Sequence, residues 1–94
     1  MKVYMFQKIE ELFSNCDYFT EEELFYKYED AVKYLEEVYE STIESIEEVY
    51  CEEGESADDF CEINHFSKDH CTIYMEDEFW ISFEIHEKII MNFN

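Results

Sequence analysis

The chain has 94 residues, with 26 Asp and Glu against six basic residues, all of them Lys, for a formal net charge of −20. That length supports one domain with one modest core, spanning 1–94, and the charge argues against direct binding to nucleic acid, itself a polyanion with about one charge per 3.4 Å along each strand. Aromatic residues at 19% and hydrophobic residues at 47% argue against a disordered acidic tail, because disordered acidic chains are poor in the side chains that build a core.

In chain order, Met5, Ile9, Leu12 and Phe13 fit an amphipathic first helix that stops near Ser14-Asn15, with a strand over Met1 to Phe6 as the competing reading. Thr20-Glu21-Glu22-Glu23 has the form of a capping box and predicts a short helix through Phe25 or Tyr26. Tyr28, Ala31, Val32, Leu35, Val38, Tyr39, Ile43, Ile46, Val49 and Tyr50 recur at steps of three and four, one face of a long helix over about 30–51, with Gly54 as its stop. Beyond the acidic loop 52–59 the period changes to two. Phe60 to Phe66 and His70 to Met75 read as strands joined at Ser67-Lys68-Asp69, and Glu76-Asp77-Glu78 turns into a third strand with Phe79, Ile81, Phe83 and Ile85 inward. Ile89, Met91 and Phe93 continue the alternation, as a fourth strand after a turn at Glu87-Lys88 or as the bent end of the third. The expected fold is α+β: N-terminal helices, one of them long and acidic, packed on a C-terminal antiparallel meander of three to four strands.

From Glu36 to Glu55 there are nine acids, at 36, 37, 40, 44, 47, 48, 52, 53 and 55, and no Lys, Arg or His. On a helix rising about 1.5 Å per residue, that stretch carries roughly one negative charge per 3.3 Å, close to the spacing along one nucleic-acid strand. Glu36, Glu40, Glu44 and Glu48 form a single i, i+4 row without the alternating Lys that normally stabilises such a row, and acids near a helix C-terminus oppose its dipole. Local rules broken on one face mark a functional surface. The expected partner-binding residues are therefore Glu36, Glu37, Glu40, Glu44, Glu47, Glu48, Glu52 and Glu53. Trp80 joins them because it is out of phase with the inward set Phe79, Ile81 and Phe83, which places it at a contact with a partner or with a second copy of the chain.

Chemistry is sparsely represented. Cys61, His65, His70 and Cys71 are residue types that zinc favours, but they lack paired C-x2-C elements, and strand alternation sends His70 and Cys71 to opposite faces. The clustered acids lack the alternating ligands and central Gly of a calcium loop. A sole glycine rules out a glycine-rich phosphate loop, and a strongly negative field makes thiolates scarcer. The expectation is no catalysis, no cofactor and no metal. Cys16, Cys51, Cys61 and Cys71 are expected to be free thiols. No apolar run of membrane-spanning length and no signal-type segment is present, so the expected location is the cytoplasm.

In size, acidity and the conflict between charge and helix rules, the chain resembles the small nucleic-acid-mimicking inhibitors of phages and other mobile elements, the anti-CRISPR and anti-restriction class. The resemblance is one of charge profile over the whole chain. It implies a non-catalytic protein that occupies the basic groove of a CRISPR-Cas effector or another nuclease in the infected cell and excludes DNA or guide RNA. Two other readings share the composition: an immunity protein that neutralises a cognate nuclease toxin, and an acidic phage regulatory or structural protein that oligomerises through Trp80.

Overall fold

Five strands form one antiparallel sheet, with a single long helix inserted between the second and third strands. The architecture is that of a computed structural model, which describes residues 1–91. In chain order the elements are β1 (Lys2–Leu12), β2 (Asp17–Phe25), α1 (Tyr28–Tyr50), a 3-10 turn (Ala57–Asp59), β3 (Glu62–Ser67), β4 (His70–Met75) and β5 (Phe79–Ile89). The sheet order is β2-β1-β5-β4-β3, so three hairpins are joined into one sheet by the pairing of β1 with β5.

This order corrects the expected N-terminal helices. Neither forms. Met5, Ile9 and Leu12 lie in β1, and Thr20-Glu21-Glu22-Glu23 lies in the middle of β2. The physical reason is non-local pairing. β1 runs beside β5 over its entire length, from Lys2 opposite Ile89 to Leu12 opposite Phe79, and every buried inward residue of β5 gains a neighbour that a helix would not supply. Ser14-Asn15, expected to stop a helix, belongs to the β1–β2 hairpin turn, where Cys16 takes a left-handed φ of 57°. A sheet of five strands replaces the meander of three to four. β5 also continues through Glu87 and Lys88 to Ile89 without turning, and Met91 lies beyond it. Phe93 lies outside the described residues.

Elsewhere the elements sit where periodicity puts them. β4 spans His70–Met75, and Asp77, at φ 66°, makes the tight turn into β5. The helix begins with Glu29 and Asp30 in its first turn, where their charge complements the dipole. Its end is set by Cys51, whose extended backbone (φ −100°, ψ 142°) stops the helix while its N–H donates to the Glu47 carbonyl at 3.0 Å. Gly54, at φ 87°, serves the following loop rather than the helix terminus.

One core lies between α1 and the sheet. Phe6 from β1, Cys71, Ile73 and Met75 from β4, and Phe79, Ile81 and Phe83 from β5 are buried beneath Leu35 and Ile46 of the helix. Aromatic contacts fasten the layers: Tyr34 meets Phe6 edge-on at 5.0 Å, Tyr39 meets Phe83 at 5.9 Å, and Tyr50 meets Phe79 at 6.1 Å. Such pairs contribute about 0.5–1.5 kcal/mol each beyond their buried area. Because one helix must cover five strands, it packs on β1 and β5 and reaches β2 through Tyr34, which meets Phe25 at 5.2 Å and donates to Glu21, so β2 stays exposed along eight of its nine residues.

Candidate functional site

The α1 sequence contains eight acids and one cation, Lys33. At 100° per residue, Leu35, Val38, Thr42, Ile46 and Val49 fall on the core side, and Glu36, Glu40, Glu44 and Glu48 drift across the opposite side. Glu36, Glu37, Glu40, Glu44 and Glu48 are all exposed. Among the described residues none of them forms a salt bridge or accepts a hydrogen bond. The one Lys–carboxylate bridge among the described residues lies elsewhere, between Lys2 and Glu87 at 2.9 Å. The last helical turn contains no basic residue. The face therefore keeps its full charge for solvent or for a partner.

Glu47 is different. It is half-buried, and its Oε2 accepts the Ala57 N–H at 3.1 Å, so it ties the helix to the 3-10 turn. Below it a groove of about 290 Å³ runs between α1 and the turn, walled by Tyr39 and Ile43 and rimmed by Glu40, Glu44, Glu47 and Asp58. Glu52 and Glu53 are exposed just past the helix end and extend the acidic line. The Glu52 N–H donates to Glu55 Oε1 at 2.7 Å, and Ser56 with Asp59 forms a reciprocal capping box, so this loop is held by its own acids. Seven of the eight expected acids are thus exposed, with Glu37 beside one groove and Glu40 and Glu44 beside another, and Glu47 has an internal bond.

Trp80 does not join them. It lies on the sheet face away from α1, half-buried, directly opposite Tyr74 on β4 and Glu11 on β1. On that face Phe13 packs at 6.1 Å from Tyr74. Trp80 therefore belongs to a separate aromatic patch, on the other side of the sheet from the acidic helix.

The Cys and His residues are distributed rather than gathered. Cys71 and His65 are cross-strand neighbours on the helix side, where His65 lies 3.4 Å from the Tyr39 hydroxyl. His70 is on the far side, 3.2 Å from Glu84, whose other oxygen contacts His86 at 2.8 Å. Among the described residues no group of three or more His, Cys, Asp or Glu is arranged to hold a metal ion. Burial pushes the Cys71 thiol up to about 11, and burial with neighbouring carboxylates raises Cys51. Those shifts are opposite to those of an activated nucleophile. The Tyr39 hydroxyl is likewise raised by burial.

Two groupings escaped the sequence reading. The His70–Glu84–His86 cluster arises from an i, i+2 pair on β5 and a cross-strand neighbour on β4, so it needed the β4–β5 register to be seen. The acids of β2 read as a helix cap, although Tyr18, Phe19, Thr20 and Phe25 around them are strand formers. No helix among the described residues is long and apolar enough to cross a membrane. No family model, curated protein or solved structure matches the chain.

Proposed function

We propose that the protein is a non-catalytic inhibitor that occupies the basic nucleic-acid-binding groove of a CRISPR-Cas effector or another nuclease, with the acidic face of α1 standing in for a nucleic-acid backbone. The observation that carries this reading is the exposed row Glu36, Glu40, Glu44 and Glu48, which forms no salt bridge among the described residues. A row of like charges at i, i+4 costs a few tenths of a kcal/mol per pair, and a chain that also holds Lys residues leaves this row uncompensated. Dimensions add support. The body measures 56 × 27 × 20 Å, so a net charge of −20 along its long axis is about one charge per 2.8 Å. That density lies between one strand of DNA, at about 3.4 Å per charge, and a duplex, at about 1.7 Å. A cleft evolved to hold such a polyanion meets a comparable field on this surface, and long-range steering speeds the encounter.

Such an inhibitor acts in the cytoplasm of the infected cell and needs no cofactor. The test uses labelled duplex and a panel of purified CRISPR effectors and restriction nucleases. The protein alone should leave the duplex unshifted, and it should release duplex from its target in a dose-dependent manner. A direct, salt-sensitive complex of the protein with duplex, or release from no member of the panel, contradicts the reading.

A further inference from the structure

The sheet has two free edges, and they are built differently. β3 is short, six residues, and its pairing slips between His65 and Ser67, a bulge that spoils it as a template. β2 is nine residues long and pairs with β1 in unbroken register from Phe25 opposite Tyr4 to Asp17 opposite Leu12. It contains no Pro, no Lys and no bulge, so the device that blunts it is negative charge, from Asp17, Glu21, Glu22 and Glu23, which a cationic strand would neutralise. Its only sheet neighbour is β1, and no backbone hydrogen bond from a loop reaches residues 17–25, so the outward-pointing N–H and C=O groups of this edge are unpaired among the described residues.

The side chains on this edge select what can pair there. Register places Asp17, Phe19, Glu21, Glu23 and Phe25 on the helix side, with Lys8 opposite Glu21, and Tyr18, Thr20, Glu22 and Leu24 on the other face. Three of the five helix-side positions are therefore acidic, and three of the four on the far face are apolar or uncharged. A second copy fits poorly. Antiparallel self-pairing centred on Glu22 sets Glu21, Glu22 and Glu23 of one copy against the same three of the other, the register centred on Glu21 still sets Glu21 against Glu21, and like charges directly opposite are destabilising.

The geometry points to β2 as a strand-addition site for an extended segment of a partner protein in which cationic side chains alternate with apolar or β-branched ones. The cations face Asp17, Glu21 and Glu23, and the apolar residues face Tyr18, Thr20 and Leu24. Main-chain hydrogen bonds provide the grip and the alternation provides the selectivity. This site is separate from the α1 face and stands or falls independently of it.

The probe is a nine-residue, end-blocked peptide of alternating Lys and Val, added to the full chain at about 150 mM salt, where the Debye length is about 8 Å. Amide hydrogen exchange should show new protection within 17–25. The same peptide N-methylated at every residue keeps its charges but cannot donate, and it should bind at least tenfold more weakly. Asp17→Lys with Glu23→Lys, both exposed and on the face that meets the cations, should weaken the unmethylated peptide by a similar factor, whereas Glu40→Lys with Glu44→Lys should leave its binding to β2 intact. Equal affinity of the methylated peptide, protection confined to α1, or no binding at millimolar peptide overturns the assignment.

Discussion

Changing Glu40 and Glu44 to Lys separates the stability of the helix from its function. In the native row three i, i+4 contacts are repulsive, 36–40, 40–44 and 44–48, and among the described residues no cation, not even Lys33 three residues before Glu36, forms a salt bridge with them. The double reversal makes the first and third attractive and leaves the middle one repulsive. At about 0.2–0.5 kcal/mol per pair, with the sign changed twice, the helix gains about 1 kcal/mol. The first of the new pairs has Glu on the N-terminal side, the better orientation. Net charge also falls in magnitude from −20 to −16, which relaxes repulsion across the whole body. For a domain of this size, 1 kcal/mol corresponds to a rise of roughly 4–8 °C in Tm. Both side chains are exposed, and among the described residues neither forms a salt bridge or a hydrogen bond. Thermal unfolding followed by circular dichroism, at low salt and again at about 1 M salt, reads the effect. The gain should shrink at high salt, where the Debye length falls to about 3 Å. A variant that melts lower than the parent refutes the reasoning, because it would mean that the acidic row is already satisfied within the fold.

Three further outcomes follow from the core and its titrating groups. Ile73→Ala empties a fully buried position at the centre of β4 and should cost about 2–5 kcal/mol in chemical denaturation. Hydrogen bonds from Ser67 and Tyr28 hold the Asp69 carboxyl below its usual range, so its contribution to stability is present above the ordinary carboxylate pKa and is lost as pH falls through the lowered value. Tyr28→Phe removes one donor and should raise the Asp69 pKa measured by carboxyl NMR. Toward a thiol reagent at pH 8, exposed Cys16 should react first, and Cys71, buried and pushed up to about 11, only upon unfolding.

The parts of the fold legible in the sequence are those whose periodicity is enforced locally. Leu35, Val38, Ile46 and their neighbours mark α1 because a helix buries one stripe, and Phe79, Ile81 and Phe83 mark β5 because its inner residues are all apolar. β1 was ambiguous for a physical reason. Its inward residues Phe6 and Leu12 bracket Lys8 and Glu10, which are half-buried and line a groove with Tyr34, Val38 and Thr42 of α1, so the strand alternation fades while Met5, Ile9 and Leu12 mimic a helical period. β2 reads as a helix start because its burial is minimal: an edge strand with one neighbour has no inside to pattern its residues, and three consecutive Glu after Thr20 resemble a helix cap. The acidic face needed only the helix and its sequence. Trp80 was rightly out of phase with the core, but which surface it joins depended on the β1–β5 pairing that no local signal reveals.

The claim that the α1 face is what a basic groove recognises is tested most directly by two charge-matched variants. One carries Glu40→Lys and Glu44→Lys. The other carries Glu11→Lys and Glu76→Lys, exposed acids that form no salt bridge among the described residues and lie away from the helix face. Each changes the net charge by the same amount, so any difference between them reports position. Release of duplex from the target nuclease should be weakened at least tenfold by the helix pair and little by the other, with the gap widest at low salt. Equal loss from both variants would mean that bulk charge alone acts, and no loss from either would contradict electrostatic mimicry itself.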